Sequence, residues 1–395
     1  MSAILLDSLD NYYLIAVNVM MTIPFNRPFL TGKETEYIRQ AVESGKISGN
    51  GLFTQKCQHF LEERYGFPKV LLTTSCTDAL EMAAMLSEVG PGDEVIVPSF
   101  TFVSSAVAFV RQGAHIVFTD SRADHPNLDL ERVEALITPK TKALVVVHYA
   151  GVACDMDRAM ELARKHNLLV IEDAAQAIDA TYKGRPLGGI GHFGCFSFHE
   201  TKNIIAGEGG ALVINDERFA RRAEIIWEKG TNRAEFFRGE VNKYGWVDVG
   251  SSFLPSEIIS AFLYAQLEHL DTIQAKRKEL WTAYLKELAG LAGLGHFHLP
   301  TVPNFASNNA HMFYLLANSL KARSDLIAHL KKHGILSTFH YLSLHKSPFY
   351  APQHDGRKLP HADRYTNTLL RLPMFYELDL AQIHTICECI RAFYA

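Results

Sequence analysis

Residues 195–210 read CFSFHETKNIIAGEGG. A short apolar run ends at Ser197, Lys202 follows five residues later, and Gly207, Gly209 and Gly210 close the segment around Glu208. An amine that must attack a carbonyl needs a dry, crowded setting that lowers its pKa, and backbone free of bulky side chains so that a large cofactor can approach. Lys202 therefore stands as a candidate Schiff-base lysine. Taken alone it reads more simply as a solvated surface charge. The sequence on either side separates the two readings.

The apolar runs at 195–198 and 211–215 predict strands flanking Lys202. Upstream the same grammar repeats: strands at 70–73, 94–97, 115–120, 144–148 and 168–172, with helical patterns at 79–86, 100–112 and 156–166. These strands are apolar almost throughout, which predicts an α/β fold with a mostly parallel central sheet covered on both faces. Ligands in such sheets bind at the carboxyl ends of the strands. Two helical patterns precede the sheet, at 33–44 and within 49–65. Downstream, a long helical pattern at 255–291, with Pro255 in its first turn, leads into a smaller C-terminal α+β domain. That domain reads as strand 312–316, helix 324–332, strand 337–341 and helix 380–393, with a Pro-, His- and Gly-rich surface loop at 346–363. The expected division is an appendage at 1–22, a large domain at 23–265 and a small domain at 266–395.

The chain has 395 residues, 48% of them hydrophobic, enough for about two domains with ample cores. Its net charge of −4, with both signs interspersed, leaves no basic stripe for nucleic acid. The six cysteines form no C-x-x-C pair, which argues against a metal site or a disulfide framework and fits a reducing, cytoplasmic home. No apolar run reaches membrane-spanning length, so no membrane partner is expected. Residues 1–20 carry Asp7 and Asp10 but no Lys or Arg, unlike a signal peptide. They read either as an appendage, with Met21 a possible start, or as an N-terminal helix or arm.

Three places carry chemistry beside Lys202. Ser75, Cys76 and Thr77 sit where the first strand turns into a helix, either as an anion site at the positive helix end or as an ordinary cap. In LLVIEDAAQ, 168–176, a strand delivers Asp173 to its carboxyl end and Gln176 follows one helical turn later. Asp173 either caps the next helix or holds a pyridine nitrogen protonated, as pyridoxal phosphate requires to act as an electron sink, with Gln176 on the ring oxygen. The third is the polar, aromatic-rich stretch 230–252, long for a structureless loop and so a candidate functional or interface segment.

In this order, S-C-T at 75–77, E-D-A-A-Q at 172–176, and S-F-H-E-T-K followed by G-E-G-G resemble the DegT/DnrJ/EryC1/StrS family of pyridoxal-phosphate sugar aminotransferases, from about residue 23 to the C-terminus. The resemblance implies pyridoxal 5'-phosphate as cofactor and the fold type I, aspartate aminotransferase-like architecture. It makes Lys202 the lysine that binds the cofactor and then shuttles the proton, Asp173 the partner of the pyridine nitrogen and Gln176 that of the ring oxygen. Phe102 matches the aromatic over one ring face, and Cys76, Thr77 and Ser197 the phosphate cradle. Some relatives are dehydratases with His at the lysine position; Lys202 favours transamination. Arg233, Tyr341 and His345 resemble substrate-contact positions, His345 reading equally as a surface-loop histidine.

The stretches at 148–157, 195–203, 228–233, 236–239, 309–314 and 369–373 are similar to the subgroup that forms dTDP-4-amino-4,6-dideoxygalactose for enterobacterial common antigen. That similarity implies transfer of an amine from L-glutamate to carbon 4 of dTDP-4-keto-6-deoxy-D-glucose, leaving 2-oxoglutarate. A 3-amino product, a 4-amino gluco product and a non-catalytic nucleotide-sugar sensor remain alternatives; the last would have lost Lys202 or Asp173. The family also implies a homodimer with shared active sites. Where many members carry G-x-N-x-R toward the neighbour's phosphate, this chain has Ser252 for Asn and Leu254 for Arg. A serine hydroxyl can still donate to phosphate; a leucine cannot.

Overall fold

A computed structural model describes residues 22–395, so the expected appendage, with Met21, lies outside the described residues except for Thr22. After α1 (Glu34–Glu43) and α2 (Leu52–Tyr65), the chain alternates β1 (Val70–Thr73), α3 (Cys76–Leu86), β2 (Glu94–Pro98), α4 (Ser104–Val110), β3 (His115–Thr119), β4 (Thr141–Val147), α5 (Met156–His166) and β5 (Leu169–Asp173). A small hairpin, β6 (Thr181–Tyr182) and β7 (Arg185–Pro186), precedes β8 (Phe193–Ser197) and β9 (Gly210–Ile214), and α6 (Ala220–Trp227) and α7 (Arg233–Phe237) follow. The large sheet has the order β1-β9-β8-β5-β4-β2-β3. From β8 to β3 all pairings are parallel, whereas β9 runs antiparallel to both of its neighbours.

Strand alternation sorts the sheet's side chains into two cores. Ala143, Val145 and Ile171 pack with α3, α4 and α6, while Leu144, Val146 and Val170 face α2, α5 and α8 (Glu257–Leu267). Both faces are therefore covered, as near-continuous apolar strands require.

The expected single helix at 255–291 is two. After α8 the chain breaks at Glu268 and His269, and α9 (Leu270–Gly293) starts afresh; Pro255 lies ahead of α8, whose cap is Ser256. The change of core comes later, within α9, whose first turn keeps Leu270 and Ile273 in the large-sheet core. Leu263 and Leu267 belong to the large-sheet core, whereas Leu280, Tyr284 and Leu288 belong to a third cluster. That cluster lies beneath an antiparallel sheet ordered β10-β11-β13-β12, built from β10 (Phe297–His298), β11 (Tyr314–Ala317), β12 (Thr338–Phe339) and β13 (Leu369–Arg371), with α10 (Leu320–Lys332) and α12 (Leu380–Tyr394). Ile23 joins the same cluster and pairs with Ile335.

Two more expectations change. The helix foreseen at 100–112 begins only at Ser104; Phe100 and Thr101 ahead of it are buried, while Phe102 is 55% exposed. The stretch 346–363 is no free loop: Tyr350 is buried against Phe118, its hydroxyl accepts from Ile116 N, and α11 (Pro360–Thr368) begins at Pro360. All six cysteines are free thiols.

At the end of β5, Glu172 has no solvent exposure, so its carboxylate must find donors inside. It accepts from Gly188 N at 2.8 Å, Ile190 N at 2.7 Å and Gly191 N at 2.6 Å, and pairs with His148 Nε2 at 2.9 Å. Burial alone would raise its pKa, but His148 and these N–H groups outweigh burial and hold it below the usual value. A depressed carboxylate stabilises above its unfolded value of about 4.3, and that contribution is lost as pH falls through the lower folded value. Glu172→Gln should thus cost about 3 kcal/mol near neutrality. Thermal melts across pH should show the gap between variant and wild type closing on acidification.

Candidate active site

A cavity of about 520 Å³ opens at the carboxyl ends of β1, β4, β5 and β8, and the antiparallel sheet closes its other side. Each wall follows from the local fold. Ser75 caps α3, its side chain accepting from Asp78 N at 3.1 Å, which leaves the N–H groups of Cys76 and Thr77 at the helix start without intrahelical partners. Thr77 Oγ1 lies 2.7 Å from Ser104 Oγ, and Ser197 ends β8 on the same wall. Gly210 packs directly on this turn; a Cβ there would run into the Ser75 carbonyl and Cys76 N. Backbone amides at a helix N-terminus ringed by hydroxyls form a cradle suited to a phosphate. Cys76 adds a protonated thiol, since burial pushes its pKa well up.

Asp173 ends β5 and is buried. Its Oδ2 accepts from Ser105 Oγ at 2.6 Å and its Oδ1 from Ala175 N at 3.1 Å; Thr101 Oγ1 in turn lies 2.8 Å from Ser105 Oγ. Gln176 is clamped, with Oε1 accepting from Ala150 N at 2.6 Å and Nε2 donating to Tyr341 OH at 3.0 Å. Phe102 turns its exposed ring into the cavity, 6.0 Å from the Tyr341 ring.

Lys202 sits half-buried on the wall, its N–H donating to His199 O at 2.9 Å. Desolvation pulls the ammonium below the usual lysine pKa; Cys76 and Asp173 oppose that shift, and Arg371 adds to it. A larger share of the amine is then unprotonated near neutrality, as a nucleophile and base requires. The residues present therefore fit pyridoxal phosphate: a phosphate cradle, a fixed carboxylate for the ring nitrogen, an aromatic face and an amine whose pKa burial lowers.

Of the residues singled out in the sequence, Cys76, Thr77, Phe102, Asp173, Gln176, Ser197, Lys202 and Tyr341 converge here. Three do not line the cavity. Ser252 is exposed and bridges to Glu228. Arg233 stacks over Phe237 at 5.1 Å and lies 3.8 Å from Glu228. His345 is no surface histidine: it is buried, its Nδ1 2.7 Å from Ser99 Oγ, and it ties its segment to the end of β2.

His340, His311, Arg371 and Phe25 also line the cavity and were missed. His311 Nδ1 donates to Asn203 Oδ1 at 2.8 Å, and His340 Nδ1 lies 2.8 Å from Tyr149 OH. Burial holds both rings well below the usual histidine pKa, so both are neutral. The signal for two of these residues was in view, since the stretches at 309–314 and 369–373 that resemble the subgroup contain His311 and Arg371.

Residues 28–391 match the profile of the DegT/DnrJ/EryC1/StrS aminotransferase family. The chain is 33% identical over 377 residues to the GDP-perosamine synthase of Escherichia coli O157:H7, covering 95% of this chain and 100% of that one. It is 36% identical over 317 residues to the dTDP-3-amino-3,4,6-trideoxy-alpha-D-glucose transaminase of Streptomyces venezuelae, covering 80% of each. The sugar aminotransferase Spr1654 of Streptococcus pneumoniae, in its PMP-form, superposes with a TM-score of 0.87 at 28% identity, over 94% of this chain and 98% of that chain.

Because Ser105 donates to a carboxylate, Ser105→Ala should loosen Asp173 and weaken pyridoxal phosphate binding roughly tenfold. Fluorescence titration of the apoprotein measures it; unchanged affinity would show that Ala175 N alone holds Asp173 in place.

Proposed function

The chain belongs to the DegT/DnrJ/EryC1/StrS aminotransferase family, and on that premise we propose that it moves the amine of L-glutamate to carbon 4 of dTDP-4-keto-6-deoxy-D-glucose, giving dTDP-4-amino-4,6-dideoxy-D-galactose and 2-oxoglutarate. The observation that carries an aminotransferase is the desolvated Lys202 amine sharing one cavity wall with Asp173. A nucleotide-sugar acceptor is supported by the named activities of the two relatives, one acting with GDP and the other with dTDP sugars. The choice of dTDP and of carbon 4 rests on the sequence stretches that resemble the subgroup making that product.

Pyridoxal phosphate, when bound, supplies the carbonyl that carries the amine and the ring that takes up the electron pair. The chain supplies the rest. Lys202 Nζ takes the proton from the donor's α-carbon and later returns one to the sugar carbon that gains the amine. Asp173, held by Ser105 and Ala175, keeps the ring nitrogen protonated. Gln176, fixed at both ends of its amide, orients the ring oxygen. The Cys76 and Thr77 amides and the Ser197 hydroxyl anchor the phosphate, and Phe102 covers the ring.

A second copy of the chain belongs to this reading. Phe237, Trp246 and Val249 are 68%, 85% and 66% exposed in the segment that contains Arg233 and ends at Ser252, a run of apolar surface suited to a partner. Ser252 and Arg233 then serve the neighbour's cavity. Trp246→Asp should convert a sedimenting dimer to monomer and cut activity together; a monomeric wild type with full activity would rule out shared sites.

The catalytic proposal is tested by visible spectroscopy. L-glutamate should bleach the lysine-bound cofactor band, and dTDP-4-keto-6-deoxyglucose should restore it, with product NMR fixing the carbon and stereochemistry. Lys202→Ala should abolish turnover while cofactor still binds noncovalently; turnover by that variant would remove Lys202 from its role.

A further inference from the structure

Two exposed helix faces show how a surface histidine is ordinarily settled in this chain. His59 Nε2 lies 2.9 Å from Glu63 Oε1, and His384 Nε2 lies 3.9 Å from Glu388 Oε1, each one helical turn along. The end of α10 differs. His329 and His333 are likewise one turn apart, so their rings share a face with 4.4 Å between centroids, and neither meets a carboxylate among the described residues. Cys389 of α12 faces them, a free thiol packed half-buried against the small-domain core. One ring nitrogen from each histidine and the Cys389 sulfur all lie within 4.8 Å of one another.

Both rings are also held from behind. His333 Nδ1 donates to His329 O at 2.9 Å, and His329 Nε2 donates to Cys389 O at 3.1 Å. A carbonyl can only accept, so in each neutral ring the bonded nitrogen carries the proton, and His333 Nε2 and His329 Nδ1 keep their lone pairs. A ring N–H donated to a backbone carbonyl is what fixes the tautomer and direction of metal-binding histidines. Phe393 packs on the His329 ring at 5.3 Å and gives the cluster an apolar side.

We propose that His329, His333 and Cys389 form a site for a divalent, borderline-soft cation of the zinc class, with a fourth position open to water. Two imidazoles and a thiolate suit such an ion, whereas magnesium and calcium take oxygen ligands. Tetrahedral zinc sets its nitrogen and sulfur ligands about 3.5 Å apart, so the cluster closes with side-chain movements on the order of 1 Å. Binding replaces the S–H bond by a sulfur–metal bond, and the thiol proton passes to solvent. The site stands apart from the cofactor cavity and does not rest on the aminotransferase reading. Its cation clamps α12 to α10, whose end leads through β12 to His340 and Tyr341 on the cavity wall. No C-x-x-C pair announces it, because Cys389 is far from both histidines in sequence and only the fold joins them.

The probe is cobalt(II), titrated into full-length holoenzyme stripped of metal with a chelator. One equivalent should bind with the intense visible bands of tetrahedral cobalt and a sulfur-to-metal charge-transfer band. Zinc should displace it with a Kd of about 1 μM or tighter, weaker than four-ligand structural sites. Cys389→Ser should remove the charge-transfer band. That change and His333→Ala should each weaken zinc binding on the order of 100-fold, at least the upper end of what losing an outer-shell partner costs. His384→Ala, on the other exposed face, should leave binding unchanged. Zinc should raise the thermal midpoint of the wild type but not of Cys389→Ser or His333→Ala. His333 is exposed, so its alanine variant carries the test even where the serine variant misfolds. A charge-transfer band that survives Cys389→Ser, an affinity unchanged in His333→Ala, or a weak octahedral spectrum alone would mark adventitious binding elsewhere and overturn the proposal. Binding at these residues with no rise in the midpoint would deny the clamp and overturn it too.

Discussion

A carboxylate with no access to water must be fully supplied with donors, and Glu172 sets much of the architecture by that requirement. Its four contacts bind β5 to His148 at the end of β4 and draw the 188–191 turn against the sheet. Because side chains alternate along a strand, anchoring Glu172 on the face of α2 and α5 commits the next residue to the other face. That residue is Asp173, and the face it reaches is where α4 presents Ser105. The turn drawn in by Glu172 leads into β8, so the same carboxylate helps fix the strand that ends at Ser197 and delivers Lys202.

The cavity works because it separates charges in a poorly hydrated space. Several ionisable groups there are shifted toward the form their position needs: the Lys202 ammonium is pulled down, the His311 and His340 rings are held neutral, and the Tyr149 and Tyr341 phenols are held protonated. Burial is the first cause in every case, and neighbouring charges tune it. The polar second layer then acts by orientation, as in the Thr101, Ser105 and Asp173 chain of hydroxyl contacts.

What the sequence revealed follows from where its signals are local. Lys202, Asp173, Gln176, Cys76 and Thr77 sit at strand ends and helix starts, where apolar runs and turn chemistry mark both the element and the direction of the side chain. Phe102 was recognised, but its presentation depends on a helix starting four residues later than the apolar pattern implies. His345 and His340 show the limit. Both lie in one short segment beside Tyr341, and only packing against Ser99 on one side and Tyr149 on the other decides which enters the cavity. Arg371 lies in a stretch that resembles the subgroup, but its place in the cavity was hidden for a similar reason: β13 is three residues long, and its partners β11 and β12 lie far away in sequence. The break between α8 and α9 was invisible because both halves keep a continuous helical pattern, and Leu270 and Ile273 beyond the break pack in the same core as Leu263 and Leu267 before it.

The antiparallel strand β9 gives the chain a built-in order of completion. β1 lies at the edge of the large sheet and pairs with β9 alone, from Val70 against Val213 to Thr73 against Gly210. During synthesis, the turn at Ser75 to Thr77 emerges long before the strand that holds it, and it stays without a sheet partner until residue 214 has left the ribosome. The anion cradle is therefore a late product of folding, despite lying early in the sequence. Arg371 emerges later still, near the end of the chain. A chain that stalls before β9 thus lacks a completed cradle, and one that ends before β13 also loses the strand that joins β11 to β12.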